Sequence, residues 1–140
     1  MLTKRTRYGL KALLYLASLG EGAEVSIGEI AEETGSPKKF LEAILKDLKG
    51  HRLVESRRGV QGGYRLAKAA TAITYADIIR ALDGPLALAP CASRTAYRPC
   101  DDCEDVKTCK IRPVLLQARD AVAEVLEHSS LQEMLKRGRR

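Results

Sequence analysis

The chain has 140 residues and a mass of 15.4 kDa, enough polypeptide for one domain with a real core but not for two. Its longest apolar run, 12–17, falls far short of the roughly 20 residues of a spanning helix, and Lys4, Arg5 and Arg7 precede no cleavable signal pattern, so a soluble, cytoplasmic protein with no membrane partner is expected. The net charge of +6 is carried mostly by residues 1–70 (13 basic, 8 acidic) and suggests a polyanionic partner, while one Phe, five Tyr and no Trp leave an aliphatic core and favour helix over β-sandwich.

In chain order, Leu10, Leu13, Leu14 and Ala17 form a helical stripe that predicts a first helix over about 6–19, with Gly20 to end it. Ser26 and Glu29 have capping-box spacing, with Val25 and Ile30 as its hydrophobic staple, and predict a short helix over 27–33. Thr34 and Gly35 make a tight turn. Ser36 as N-cap and Pro37 as first helical residue then open a third helix, with Leu41, Ile44, Leu45 and Leu48 on one face, Lys38, Lys39, Glu42, Lys46 and Lys49 on the other, and Gly50 at its end.

Two β-prone runs, 53–57 and 63–66, flank the Gly-rich basic stretch Arg58, Gly59, Val60, Gln61 and Gly62, which reads as a hairpin. Thr74 and Asp77 form a second capping-box spacing, stapled by Ile73 and Ile78, for a helix ending near Gly84. Residues 85–109 read as loop. A long last helix begins near Lys110 or Pro113, with Ile111, Val114, Ala118, Val122 and Val125 at helical spacing; a capped turn follows from Ser130, and 136–140 read as frayed.

Two short helices joined by a tight turn and followed by a basic hairpin are the parts of a winged helix-turn-helix, whose second helix can enter a major groove. Ser36, Lys38, Lys39 and Glu42 would lie nearest the DNA, the lysines favouring phosphate and Glu42 able to accept from a cytosine amino group. Arg57 and Arg58 could reach a minor groove or flanking phosphates, and Gly59, Gly62 and Gly63 allow close backbone approach. His51 and His128 read as solvent-facing helix ends, and Tyr8, Tyr15, Tyr64 and Tyr75 as packing residues.

The opening Leu-Thr-Lys-x-x-x-Tyr-Gly-Leu, the Pro-Lys-Lys-Phe-Leu-Glu-x-Ile-Leu segment and the wing Arg-Gly-Val-Gln-Gly-Gly-Tyr-Arg-Leu resemble the Rrf2 family of bacterial winged-helix transcription regulators, to which IscR, NsrR and RirA belong. The resemblance covers nearly the whole chain. It implies a homodimer on a double-stranded DNA operator, with Pro37, Lys38, Lys39, Phe40 and Glu42 in the recognition helix, Arg58 to Tyr64 in the wing, and the last long helix as dimer seam. The division it suggests is a DNA-binding domain at 1–84, a cysteine loop at 85–109, and a dimerisation helix with tail at 110–140.

Cys91, Cys100, Cys103 and Cys109 form Cys-x8-Cys-x2-Cys-x5-Cys in that loop. Without a secretory signal, clustered cysteines favour metal ligation or redox chemistry over structural disulfides. Spacing alone leaves three readings open: a four-thiolate zinc site, a metal-free thiol switch, or an iron-sulphur cluster. The resemblance implies the cluster, 2Fe-2S or 4Fe-4S, with Cys91, Cys103 and Cys109 as the family's three ligands and Cys100 additional. The histidine and the N-terminal aspartate that complete the set in relatives are replaced here by Arg112 and Arg7, which leaves Cys100, a carboxylate such as Glu104 or a small-molecule thiol as the fourth ligand. The acidic neighbours Asp101, Asp102, Glu104 and Asp105 should raise the thiol pKa values. Nothing resembles a nucleotide loop, catalytic triad or carboxylate pair, and no βαβ pattern precedes Cys100 to support a dithiol oxidoreductase. The expected function is transcriptional repression governed by iron, redox state or nitric oxide.

Overall fold

The computed structural model describes residues 2–59 and 62–137. The elements are α1 (Lys4–Ser18), α2 (Ile27–Thr34), α3 (Lys38–Gly50), β1 (Val54–Arg57), β2 (Gly63–Leu66), α4 (Tyr75–Leu82), α5 (Arg112–Glu127) and α6 (Leu131–Arg137), with a 3-10 turn at Pro90–Ala92 inside the long loop. The expected mainly helical winged helix-turn-helix with a two-stranded hairpin is what the chain forms. Val60 and Gln61, at the hairpin tip, lie outside the described residues.

α1 is the central pillar, packed on α2, α3, α4, α6 and β2. It starts two residues earlier than the stripe suggests because Thr3 caps it, its Oγ1 accepting from the Thr6 amide at 3.2 Å. Thr3 Oγ1 also donates to Asp83 Oδ1 at 2.7 Å, Arg5 donates to the Leu82 carbonyl at 2.9 Å and pairs with Asp47, so the start of α1 is stitched to α3 and the end of α4. Leu13, Leu16, Leu41, Ile44, Leu45, Leu48, Ile73 and Ile78 fill one aliphatic core; Leu14, expected in the stripe, is only partly buried, and Leu16 takes its place.

Ser26 caps α2 through the Glu29 amide, but the Glu29 carboxylate does not return the bond as the capping box requires. It accepts instead from Tyr15 Oη at 2.7 Å, which pushes the Tyr15 phenol up to about 12. At Thr74 both halves of the box form, the Asp77 amide donating to Thr74 Oγ1 and the Thr74 amide to Asp77 Oδ2. Replacing Thr74 with Ala should therefore lower the stability by about 1 kcal/mol in a urea melt, with the fold retained.

The start of α3 differs from expectation. Gly35, at φ 69°, ends α2 in the left-handed region, and the amides of Gly35 and Ser36 both turn back to the Ala31 carbonyl. That commitment faces Ser36 inward, 6% exposed and with its Oγ unbonded, so Ser36 is no cap. Pro37 occupies the N-cap position one residue later, and its carbonyl accepts the first helical bond from Leu41.

β1 and β2 pair antiparallel in the register Val54 with Leu66 to Arg57 with Gly63. The other edge of β2 is covered too: Val25 and Tyr64 exchange backbone hydrogen bonds of 3.0 and 2.7 Å. Beyond α5 the chain returns to the core. The Leu131 amide donates to the Ile73 carbonyl, Leu131 is fully buried and α6 lies against α1, so Lys136 and Arg137, expected in a frayed tail, belong to a docked helix. Residues 138–140 lie outside the described set.

Candidate functional site

Lys38, Lys39, Phe40 and Glu42 project from the exposed side of α3 while Leu41, Ile44, Leu45 and Leu48 anchor the opposite side. Pro37 is exposed at the start of the helix; Ser36, expected beside it on the DNA face, is withdrawn into the interior. Two cations not singled out in the sequence reading join this face. Tyr8 of α1 meets Phe40 edge-on, with ring centroids 5.8 Å apart, and Lys4 and Lys11 flank the Tyr8 ring at 5.8 and 5.7 Å. Their separation by seven residues, with the tyrosine between them, was the available signal.

On the wing, Arg58 is exposed and Gly59 holds φ 122°, a conformation natural to glycine; the Gly62 amide closes the turn onto the Gly59 carbonyl at 3.0 Å. Arg57 is exposed and pairs with the largely buried Glu24, Nε to Oε1 3.2 Å. Tyr64, half-buried, packs against the core, as do Tyr8, Tyr15 and Tyr75. Gln61, the remaining wing candidate, is outside the described residues.

The cysteine loop folds against the first turns of α5. Cys91 lies buried in the 3-10 turn, and the Cys100 thiol donates to Cys91 Sγ at 3.5 Å. The Cys103 amide donates to the Cys100 carbonyl at 3.1 Å, folding the Cys-x-x-Cys pair into one turn. All four cysteines are free thiols, and all four line one hollow of about 480 Å³ that Ile111, Arg112 and Leu115 close from the side of α5. Arg112 Nε donates to the Cys91 carbonyl at 3.0 Å, and its guanidinium lies 5.9 Å from the centroid of the Tyr97 ring.

The hydrogen bond from Cys100 raises the Cys91 pKa, with burial adding to it, and burial raises that of Cys103, with smaller contributions from Cys109, Cys100, Asp102 and Asp105. Of the acidic neighbours, Asp102 and Asp105 act in the expected direction at Cys103, behind desolvation, and none contributes at Cys91. The raised pKa values leave the Cys91 and Cys103 thiols poor nucleophiles.

Zinc needs four ligands at about 2.3 Å from one ion, which brings sulphurs within about 3.8 Å of one another. Cys91 and Cys100 meet that spacing, but among the described residues no three Cys, His, Asp or Glu side chains are grouped to hold a single ion. Four thiols around one hollow offer the donor set of an iron-sulphur group and equally that of a four-thiolate zinc ion. His51 and His128 do not line the hollow; both are exposed at helix ends, their Nδ1 atoms against the carbonyls of Asp47 and Glu124.

Arg94 grips Asp120 of α5 with two hydrogen bonds of 2.8 and 2.7 Å, fastening the loop to the helix a second time. Those bonds, with help from Arg119, hold the Asp120 carboxyl at about 2, below its ordinary 3.8. A carboxyl depressed in the folded state contributes stability at pH values above its ordinary range and loses it as pH falls toward 2. An Arg94→Ala protein should show Asp120 titrating near its ordinary value by NMR; an unmoved titration would mean that Arg119 alone sustains the shift.

On α5, Ile111, Val114, Val122 and Val125 stand 48 to 68% exposed along one side, an apolar stripe that the single chain leaves uncovered. The other side packs on α4, where Arg80 pairs with Glu127 at 2.6 Å. No helix in the described residues is long and apolar enough to cross a membrane.

The family model for Rrf2, described as an iron-dependent transcriptional regulator, matches residues 2–137. The chain is 42% identical over 141 aligned positions to an rrf2-like HTH-type transcriptional regulator of Rhodobacter capsulatus, covering 99% of this chain and 94% of that protein. Among solved structures it is similar to CymR (YrzC), the global cysteine regulator of B. subtilis, at 32% identity and a TM-score of 0.75 over 96% of this chain and 95% of that one. It is also similar to the IscR of T. potens, at 29% identity and a TM-score of 0.76 over 99% of this chain and 88% of that one.

Proposed function

The chain belongs to the Rrf2 family of transcriptional regulators, and from that premise we propose that it is a homodimeric repressor whose grip on its operator is set by an iron-sulphur cluster held through Cys91, Cys103 and Cys109. The observation that carries this reading is the single hollow lined by every cysteine of the chain at the foot of the helix that bears the uncovered apolar stripe. Bound there, a cluster supplies a centre whose oxidation, nitrosylation or loss is a chemical signal. Each ligating thiol gives up its proton. Cys91 rides on a turn whose carbonyl is hydrogen-bonded to Arg112, so a displaced Cys91 pulls directly on the first turn of α5. Two α5 helices joined along their stripes convert that pull into a change between two winged helices that must meet half-sites about 34 Å apart. Residues 1–84 serve as the reading head, 85–109 as the sensing loop and 110–140 as the joining segment; the cytoplasm is the compartment that suits this role.

Anaerobically purified protein should be coloured and contain iron with acid-labile sulphide. A colourless protein holding stoichiometric zinc would overturn the cluster reading. On the DNA side, Lys39→Ala should weaken binding on all operators and flatten the salt dependence by about one unit of logarithmic slope. Glu42→Ala should instead alter preference between operators, since an acceptor aimed at a base excludes wrong bases by about 1–3 kcal/mol. Equal loss on every sequence after Glu42→Ala would refute the orientation assigned to α3.

One observation favours a second reading, a thiol switch. The Cys91 and Cys100 sulphurs, 3.5 Å apart, need little movement to join when a peroxide removes two electrons and both protons leave. Loss of alkylatable Cys91 and Cys100 from metal-free protein after peroxide, with a matching change in DNA binding, would support it.

A further inference from the structure

We infer that Cys100 is the fourth ligand, so that this chain holds its cluster by thiolates alone; the assignment rests on the cluster reading above. Cys100 lines the same hollow as the three other cysteines and already lies 3.5 Å from Cys91 Sγ, on one turn with Cys103. No other side chain around the hollow is as well placed. Arg112 has no lone pair to give, and its Nε is committed to the Cys91 carbonyl. The Asp105 carboxylate accepts from the Lys107 amide at 2.9 Å and holds its own turn. Asp102 and Glu104 border the hollow as exposed oxygen donors, and beside them the partly buried thiol of Cys100 is the softer donor that iron in a sulphide cluster prefers. The hydrogen bond between Cys100 and Cys91 gives the extra cysteine a place in the metal-free protein, where it keeps a partly buried sulphur satisfied until iron takes the proton's place.

The test is anaerobic reconstitution with iron and sulphide, free of low-molecular-weight thiols, of the wild type, Cys100→Ala, Cys100→Ser and Cys103→Ala. Iron and sulphide content, visible absorption and circular dichroism are read for each. Cys100→Ala should lose its iron and its colour as completely as Cys103→Ala, with helical content unchanged. Cys100→Ser should keep a weaker cluster whose absorption moves to shorter wavelength, because oxygen replaces one sulphur; a merely structural cysteine would leave the spectrum where it was. Wild-type iron content and spectrum in Cys100→Ala and Cys100→Ser, beside a colourless Cys103→Ala, would overturn the assignment and leave the cluster reading standing. A wild type that takes up no iron and sulphide would overturn both.

Discussion

A Val122→Glu protein is expected to sediment as a monomer and to lose its operator affinity by roughly 100-fold or more, the contribution of linking two half-site contacts. Val122 sits in the middle of the uncovered stripe of α5, between Val114 and Val125, and in the single chain it is 48% exposed. The substitution therefore costs the isolated protomer's fold little, so the monomer should keep its helical content while its melting temperature loses what dimerisation contributes. In a dimer joined along that stripe the carboxylate would be buried without a partner, which is prohibitive. A Val122→Glu protein that stays dimeric would show that the stripe is covered by something other than a second α5.

Gly63→Ala should be a strongly damaging single methyl, because it acts where the wing meets the rest of the domain. A Cβ at Gly63 would lie 2.3 Å from the Val25 carbonyl oxygen and 2.6 Å from its carbon, and both obstacles are backbone that cannot swing aside. Relief requires breaking the two Val25–Tyr64 hydrogen bonds and peeling β2 from the segment that leads into α2. A loss of roughly 3 kcal/mol in a urea melt is expected, together with weakened operator binding. Gly28→Ala provides the contrast. Its Cβ would meet nothing closer than Ser26 Oγ at 3.8 Å, and inside a helix the exchange should stabilise by up to about 1 kcal/mol. If the two substitutions behaved alike, the close approach at Gly63 would not be a constraint.

The fold was legible where its determinants are local. Thr74 and Asp77 announce α4 within four residues, and the aliphatic face of α3 is fully buried as its spacing implies. Expectation failed where a residue's partner lies across a turn or across the chain. Ser36 looks like an N-cap until the left-handed Gly35 claims its amide for the end of α2. Gly63 does signal a close approach, but to Val25 of its own chain, and nothing in the local pattern says so. The docking of Leu131 beside Ile73 joins segments nearly sixty positions apart, beyond the reach of periodicity. At the cysteines, the sequence placed all four in one loop, whereas the turn that joins Cys100 to Cys103 and the meeting of Cys91 with Cys100 depend on a loop path that composition does not encode.

With β2 bonded to β1 along one edge and to Val25 along the other, the wing and the α2–α3 pair form one plate, and re-aiming the wing alone would tear a sheet. In the proposed dimer a signal arriving at α5 would be left with one main mechanical freedom, to open or close two such plates like the jaws of a caliper. The regulator would then measure the gap between half-sites rather than reread their letters. One base pair added at the centre of an operator, a displacement of about 3.4 Å along the duplex with a turn of roughly 35°, should imitate or cancel the signal more fully than any change within a half-site.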